Sequence, residues 1–439
     1  MKKKLWAVAA LLALLAFAIP IEYKYHKLFR FFSKTLIPQG LDISPNYDRF
    51  IYFYPSDLIS ILLLFIALFW MKIPKRFFGN SLWVVFICAI ASIIASPFAS
   101  YPIPYIRLLH LLTPVILFSF LAAMEEKERI TRIILIAVVT AALFQTGVAI
   151  LQYFHQAPLG LRLLGEPTQF PAFSGGGHQW IRPSGTLPHP NILGGFLLMS
   201  ILATYAFIMQ AKKYRWLLAA AFPPQLFAMS VTYSRSALFA WMLSTLVWLG
   251  MIGYQKGIKT VRYFALFIAL SFVIITAALF NQYQHRGGIV NYNALAKASD
   301  STRHFHHNIA LKIMKDRPFL GLGFSQFSER VGPYLPEDTP AYERLTAPHN
   351  IFLFLACETG LISLGALLSV IALLLWKATQ TPITTETATL TALLIGFCFI
   401  GCCDFYPILF QQGKLMFFLV AGLLAAHVQK REELKEAFN

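Results

Sequence analysis

Four short polar groups stand out between the long apolar runs, and each holds an arginine or a histidine. They are residues 178–191, 233–236, 300–307 and 348–358. Arginine presents a planar fork of donors that suits a diphosphate better than the ammonium of lysine does. A neutral histidine can take a proton from a hydroxyl near neutral pH. These residue types together predict an anion-binding site that also activates a hydroxyl.

The first two groups each hold an arginine at the edge of an apolar run. Arg182 opens the segment RPSGT, and His189, Pro190 and Asn191 follow, so amides at a helix N-terminus could face an anion. The alternative is a turn with an N-cap. Arg235 is wedged between two apolar runs, where a cation is costly unless it is paired or faces a water-filled cavity. Snorkelling of its side chain to the membrane interface is the alternative.

The third group places Arg303 and His307 one helical turn apart, so both occupy one face of a helix that favours an anionic ligand. The neighbouring His304 and His306 raise a metal site as an alternative. No carboxylate or cysteine falls at a spacing typical of zinc enzymes, so no metal site is predicted.

The fourth group begins where a long loop ends and an apolar run begins. His349 and Asn350 follow a proline, and Glu358 lies nine residues further on, before a threonine and a glycine. A lone histidine at a membrane entrance can be an ordinary interfacial residue. The proline and the glycine favour a functional position, with His349 as the base.

The predicted chemistry is substitution at an anomeric carbon with a lipid diphosphate as the leaving group. Cations would stabilise the charge that builds on the departing phosphate. The sequence shows no phosphate-binding glycine loop, no Asp-x-Asp pair and no Ser-His-Asp arrangement. Such a donor is already activated, so no cofactor is predicted.

The elements that position these groups are membrane helices. Of the 439 residues, 57% are hydrophobic and 13% are charged, which excludes an ordinary soluble domain. The net charge of +17 is spread in twos and threes between apolar runs, which argues against a nucleic-acid partner. The five cysteines lie in or at the ends of these runs, so no disulfide framework is expected.

Twelve apolar runs have a length close to that of a membrane-spanning helix. They lie at about 5–19, 57–71, 81–98, 103–123, 130–152, 191–210, 214–231, 236–253, 261–280, 350–376, 387–403 and 407–427. Alternate short connections are basic, which by the positive-inside rule makes them and both termini cytoplasmic. The first run could also be a secretory signal, and we favour an uncleaved span.

The predicted fold is therefore an all-α polytopic membrane protein with about twelve helices. Residues 1–280 hold nine spans with outer loops at 21–56 and 153–190, and residues 281–349 form a large outer loop. Residues 350–427 hold three spans, and 428–439 form a cytoplasmic tail. Within the large loop, Asp300 offers an N-cap, and Phe305, Ile309 and Ile313 recur every fourth residue. This pattern predicts an amphipathic helix on the outer membrane surface.

At these residues the chain resembles the O-antigen ligase and polymerase superfamily of bacterial inner membranes. The matching stretches are 182–186 with 190–191, 234–236, 301–303 through 318–323 (PFLGLG), and 349–350 with 358–360. They occur in the expected order over about 180 residues. The resemblance implies a metal-independent, GT-C-like glycosyltransferase with a periplasmic active site and an undecaprenyl-diphosphate-linked glycan as its donor.

The resemblance also implies roles for the motif residues. Arg235 and Arg303 would bind the diphosphate, and His349 would activate the acceptor hydroxyl. The residues expected to bind substrate are Arg182, His189, Asn191, His307, Asn350 and Glu358.

Members of the superfamily differ in their acceptor. Ligases use lipid A-core, polymerases use a second lipid-linked repeat, and O-oligosaccharyltransferases use a protein hydroxyl. The length, the twelve spans and the large late loop favour the ligase.

The predicted partners are the lipid-linked glycan, lipid A-core and the bilayer, with no obligate protein partner. The alternative from another class is a lipid-linked glycan transporter, which would place ionisable residues near mid-membrane, where Glu358 and His110 are the exceptions to check.

Overall fold

The structure is a computed structural model, and it describes residues 2–21, 55–70, 80–96, 102–124, 126–211, 213–287, 294–339 and 346–429. These residues are mostly helical. The helices are α1 (Lys2–Ala18), α2 (Pro55–Trp70), α3 (Leu82–Ile94), α4 (Pro102–Ala122), α5 (Lys127–His155), α6 (Pro190–Gln210), α7 (Arg215–Val231), α8 (Arg235–Lys256), α9 (Ile258–Ala278), α10 (Phe280–Arg286), α11 (Ala294–Asp316), α12 (Phe327–Arg330), α13 (Ile351–Thr379), α14 (Thr385–Cys403), α15 (Tyr406–Leu409) and α16 (Gln411–Val428).

A helix lies at each of the twelve predicted positions. Among the described residues, seven helices are long and apolar enough to cross a membrane, namely α5, α6, α8, α9, α13, α14 and α16. Shorter apolar segments occur in α1, α3 and α4. This pattern is consistent with a polytopic membrane protein. That all twelve helices cross the membrane stays a prediction.

The bundle is built around α6 and α16. The apolar window of α16 is wholly buried and that of α6 nearly so, whereas α9 is exposed along most of its length. α16 packs against α4 and α14, and α14 packs against α8. An apolar surface that remains exposed on a membrane helix faces lipid, so α9 lies at the periphery of the bundle.

The helix α13 is interrupted near its first third. Gly360 has φ +84°, and the loop at 318–323 lies against the interruption. Leu322 and Gly323 donate backbone hydrogen bonds of 2.7 and 3.0 Å to the carbonyls of Cys357 and Glu358, and Leu361 N–H donates to Pro318 at 2.7 Å. The loop therefore supplies partners to backbone groups near the interruption, as a membrane-embedded break requires.

The all-α prediction misses one hairpin in the segment that was predicted to be an irregular outer loop. Strands β1 (Ala172–Gly175) and β2 (His178–Ile181) pair antiparallel across a two-residue turn. Both turn residues, Gly176 and Gly177, have positive φ, which a type I′ hairpin turn requires and glycine adopts without strain. No other strand occurs in the parts of the chain that the structure describes.

The amphipathic helix of the late loop is confirmed, but its predicted start is wrong. α11 begins at Ala294, so Asp300 lies inside the helix and is not its N-cap. The predicted apolar side is real, but Ile309 and Ile313 are buried in a cluster with Phe354 and Cys357 of α13, so this side packs on another helix and not on the membrane surface. Six residues of helix precede Asp300, and the N-cap prediction failed because aspartate is also tolerated within a helix.

Some predictions fall outside the described residues. These are most of the outer loop at 21–56, nearly all of the tail at 428–439, and the cations Lys72, Lys75, Arg76, Lys430, Arg431 and Lys435.

Candidate functional site

The four polar groups meet in one cavity of about 370 Å³ at one end of the bundle. The N-termini of α6, α8 and α13 and the C-terminus of α14 reach it. The wall is formed by Arg182, His189, Asn191, Tyr233, Ser234, Arg235, Ser236, Phe239, Arg286, Ser299, Arg303, His349, Phe399 and Cys403. Helix N-termini carry partial positive charge, so their convergence adds to the arginines in favouring an anion.

Arg182 is held rigidly by backbone and side-chain acceptors. Its Nε donates to the carbonyl of Thr232 at 2.9 Å, and its Nη2 donates to Asn191 Oδ1 at 2.7 Å. The rest of its motif is anchored to α5, where Gln145 and Gln152 hydrogen-bond the backbone at 185–186. The motif therefore fixes one buried guanidinium at the cavity.

Arg235 and Arg303 approach each other across Asp300. Arg235 Nη2 lies 3.6 Å from Asp300 Oδ1, and Arg303 Nη1 lies 3.4 Å from the same oxygen. Ser234 is the N-cap of α8 and places Arg235 at the first helical position. One carboxylate thus lies between two cations that come from different helices, and a bound anion would compete with it.

His349 lies beside a buried carboxylate that the sequence analysis did not identify. Its Nδ1 is 3.8 Å from Asp404 Oδ1. Asp404 Oδ2 accepts a 2.6 Å hydrogen bond from Asn191, whose own oxygen accepts from Arg182. The chain Arg182, Asn191, Asp404 and His349 therefore joins the anion-binding side of the cavity to the predicted base.

Arg286 is a charged residue of the cavity wall that the sequence analysis also missed. It ends α10 and lines the cavity, and its Nε makes no hydrogen bond to any described residue. The same is true of Arg303 Nε. In the sequence, Arg286 could have been noticed only because it precedes the paired glycines 287–288. Asp404 could have been noticed only as an acidic residue at the end of an apolar run.

The crowded cations shift one another's pKa. Burial, and next the charge of Arg286, lower the pKa of Arg182 to about 9, with Asp404 acting in the opposite direction. Burial, and next Arg235 and Arg303, lower the pKa of Arg286. A bound anion would relieve this repulsion, so the cavity is electrostatically prepared for negative charge.

The pKa values of two polar groups near His349 are both lowered, which leaves one group neutral and the other charged. Burial, and next Arg182, lower the pKa of His189 to about 4, so its imidazole is neutral and its Nδ1 accepts from Asn191 N–H. Burial by itself would raise the pKa of the Asp404 carboxyl, but His349, His189 and Asn191 together hold it below its usual range. Asp404 is therefore an anion near neutral pH.

Three of the predicted substrate-binding residues do not belong to the cavity wall as the described residues define it. His307 lies one turn beyond Arg303, and burial followed by His304 and His349 lowers its pKa. Asn350 caps α13 through Phe352 N–H and Leu353 N–H. Glu358 is buried beside the interruption of α13. Their roles in substrate binding stay predictions.

The three histidines of α11 do not converge. His304 is exposed, His306 is buried and His307 is half-buried. Among the described residues there is no group of three or more His, Cys, Asp or Glu side chains that could hold a metal ion.

The helices and the cavity define a polytopic membrane protein with a cationic site at one end of its bundle. Residues 220–368, about a third of the chain, match the family described as O-antigen ligase. This match confirms the resemblance of the motifs and supports assigning the chain to the O-antigen ligase superfamily. No curated protein matches the chain. The matched range holds Arg235, Arg303 and His349, while Arg182 and Asp404 lie outside it.

Proposed function

We propose that this chain is an O-antigen ligase, which transfers a glycan from undecaprenyl diphosphate to a hydroxyl of lipid A-core. The family match supports an enzyme of the ligase and polymerase kind. The observation that carries the specific proposal is the convergence of four arginines with His349 in a single cavity.

The donor diphosphate would bind between Arg235 and Arg303 and displace Asp300 from them. Arg182 and Arg286 add two more guanidinium groups to the same wall. The apolar part of the wall contains Phe239 and Phe399, and Phe239 is 45% exposed on the outside of α8. An isoprenoid chain could leave the cavity past these rings into the bilayer.

The reaction would proceed by one displacement. The acceptor oxygen forms a bond to the anomeric carbon while its proton passes to His349, and the bond from that carbon to the diphosphate oxygen breaks. The electron pair stays on undecaprenyl diphosphate, where the arginines stabilise the new charge. Asp404 would stabilise the imidazolium that results. Because the diphosphate donor is already activated, the proposed step uses neither a metal nor a nucleotide.

The proposed reaction requires a particular orientation of the helices in the membrane. All twelve apolar helices would cross the inner membrane in a GT-C-like arrangement, with both termini in the cytoplasm. The cavity would then open on the periplasmic side, where the ends of α6, α8, α13 and α14 that line it meet. The partners would be the bilayer, the undecaprenyl-diphosphate-linked glycan and lipid A-core.

A polymerase or a protein O-oligosaccharyltransferase would use the same cavity with another acceptor.

A lipid-linked glycan transporter would need ionisable groups deep in the bundle. His110 lies 3.3 Å from Asp57 in the first turn of α2, and the other oxygen of Asp57 accepts from Thr113 and from Gln411, the first residue of α16. This cluster joins three helices, whereas the arginines lie together at the end of the bundle, which favours transfer over transport.

The test is an alanine series in a strain from which the chromosomal gene has been deleted. Arg235→Ala, Arg303→Ala and His349→Ala are each expected to lower capping of lipid A-core by roughly 100-fold or more, because each removes a transition-state contact. Arg262→Ala is the matched control, since Arg262 lies in the first turn of α9, at the other end of α8 from Arg235. Gel profiles of surface polysaccharide measure the result, and wild-type capping in all three variants would refute the proposal.

Purified protein distinguishes the acceptors. A defined undecaprenyl-diphosphate donor is offered with lipid A-core in one reaction and with a second donor molecule in another. Glycan-capped lipid A-core is expected in the first reaction. Elongated lipid-linked glycan with no capped product would instead identify a polymerase, and no product of either kind would favour the transporter.

A further inference from the structure

A cluster of aromatic rings lies beside the cavity and has no part in the reaction described above. Trp180 of β2 stacks on His285 of α10, with ring centroids 5.6 Å apart and planes 18° apart. Trp180 also lies 5.6 Å from Phe173, its partner across the hairpin. His178 completes this ring cluster at 5.9 Å from Trp180.

The turn of the hairpin fits closely around His285. A Cβ atom at Gly175 would overlap the imidazole ring of His285. Gly176 lies next along the turn, where a Cβ would come within 3.5 Å of the same ring. The absence of side chains in this turn therefore allows His285 to lie between the hairpin backbone and the indole of Trp180.

Phe173 is buried, whereas the other three rings of the cluster are at least partly exposed. His178 is exposed, and Trp180 and His285 are both partly exposed. The indole N–H of Trp180 makes no hydrogen bond within the described part of the chain, whereas the N–H groups of Trp241 and Trp248 in the bundle both have acceptors. A buried structural tryptophan normally satisfies this donor. Trp180 thus offers an apolar ring and an available donor together.

The ring cluster is continuous with the cavity wall on two sides. Phe173 packs edge-to-face against Tyr233 at 4.8 Å, and Tyr233 lines the cavity. His285 directly precedes Arg286, whose guanidinium also lines it. A molecule that extends out of the cavity past Arg286 would therefore meet the ring cluster.

We propose that the ring cluster of Phe173, His178, Trp180 and His285 is a glycan-binding subsite that holds a pyranose ring. The C–H groups on one face of a pyranose are apolar and pack against aromatic rings, while its hydroxyls need hydrogen-bond partners at the ring edges. The indole of Trp180 and the imidazole of His178 offer both. The subsite rests on the proposed function, because it assigns the glycan beyond the diphosphate to this side of the cavity.

The test uses purified protein and steady-state transfer by Trp180→Ala. The donor is varied at saturating acceptor, and the acceptor is then varied at saturating donor. KM is expected to rise roughly five- to tenfold for the substrate whose sugar occupies the subsite, with kcat within about twofold. A higher KM for the donor would identify the donor glycan as the occupant, and a higher KM for the acceptor would identify the acceptor glycan.

Two further variants separate stacking from stability. Trp180→Phe keeps a ring and is expected to recover most of the lost affinity. Trp216→Ala is the matched control, because Trp216 is 83% exposed in the first turn of α7, an end of the bundle that does not line the cavity. Unchanged KM for both substrates in Trp180→Ala would overturn the subsite, as would a fall in thermal stability with no change in KM.

A binding measurement keeps the subsite and the proposed function apart. The soluble oligosaccharide released by mild acid from the cells' own lipid-linked glycan is titrated into wild type and Trp180→Phe, and tryptophan fluorescence is followed. Saturable quenching in wild type that is lost in Trp180→Phe supports the subsite even if no transfer occurs. Equal quenching in both proteins, or none in either, overturns it even if transfer is normal.

Discussion

Asp404 is the residue that makes His349 more than an isolated interfacial histidine. It is buried, lies 3.8 Å from His349 Nδ1, and accepts from Asn191 at 2.6 Å. An anion in this position orients the imidazole and stabilises its protonated form, as the carboxylate does in other pairs of this kind. Because Asn191 also accepts from Arg182, one network connects a guanidinium to the carboxylate beside the proposed base.

Asp404→Asn tests this positioning role. The side chain keeps its size and loses its charge, so kcat for glycan transfer is expected to fall roughly 10- to 100-fold. The pKa of the Asp404 carboxyl is held below its usual range, so acid should lower wild-type kcat as this carboxyl becomes protonated, and the Asp404→Asn variant should lack that part of the acid limb.

Asp316→Asn is the control, because Asp316 is exposed at the end of α11. A profile of kcat against pH, measured in detergent with saturating substrates, gives both quantities. An Asp404→Asn enzyme with normal kcat and the same acid limb as the wild type would contradict the positioning role.

At the level of elements, the interruption of α13 explains two of the sequence motifs together. Residues 318–323 carry glycines that allow close approach, and 358–360 carry the glycine that turns the helix. The backbone hydrogen bonds between them join the late loop to the helix that His349 precedes. α11 packs against the same helix and carries Arg303. The interruption therefore fixes the distance between the predicted base and one of the arginines.

Gly360→Ala should destabilise this junction. Its φ of +84° is strained for any residue with a Cβ, and that atom would also overlap the carbonyl of Phe319. We expect a loss of about 2–3 kcal/mol in the free energy of unfolding. Thermal unfolding of the purified protein in detergent measures the change as a lower Tm.

Gly365→Ala is the matched control on the same helix. Nothing lies within 4 Å of a Cβ at Gly365 and its φ is ordinary, so this variant should melt at or slightly above the wild-type temperature. The yield of monodisperse protein provides a second comparison if Gly360→Ala does not fold. Equal Tm and equal yield for the two variants would contradict the role of Gly360.

For the whole molecule, the decisive property is that all the helix ends around the cavity belong to one side of the bundle. The N-termini of α6, α8 and α13 and the C-terminus of α14 can meet only if the intervening helices return the chain to that side each time. The alternating basic connections predict which side this is. Lys127, Arg215 and Lys256 lie at the ends of α5, α7 and α8 that do not line the cavity.

Reporter fusions test the orientation. Alkaline phosphatase fused after Pro336 is expected to be active, because it folds only in the periplasm, whereas a fusion after Lys256 should be inactive. Green fluorescent protein at the same positions should give the opposite pattern. Activity after Lys256 and none after Pro336 would reverse the bundle and place the cavity in the cytoplasm.

The sequence by itself determined the helices and most of the cavity arginines. Membrane helices are readable because the burial of about twenty apolar residues is a local property of the chain. Arg235 and His349 were recognisable because each borders such a run, where a polar group is costly. Arg182 and Arg303 were recognisable from the short motifs that hold them. His189 and Asn191 followed from the helix start that they mark, and both line the cavity.

Only the tertiary structure decided what these residues meet. Asp404 lies more than 200 residues from Asn191, and no local pattern predicts their hydrogen bond. Arg286 follows a polar stretch without a motif, and α10 alone brings it to the wall. Asp300 appeared to be a helix cap and instead lies between two arginines. Pairing between distant segments depends on how the helices pack, and that packing is set by the whole bundle rather than by any one of its segments.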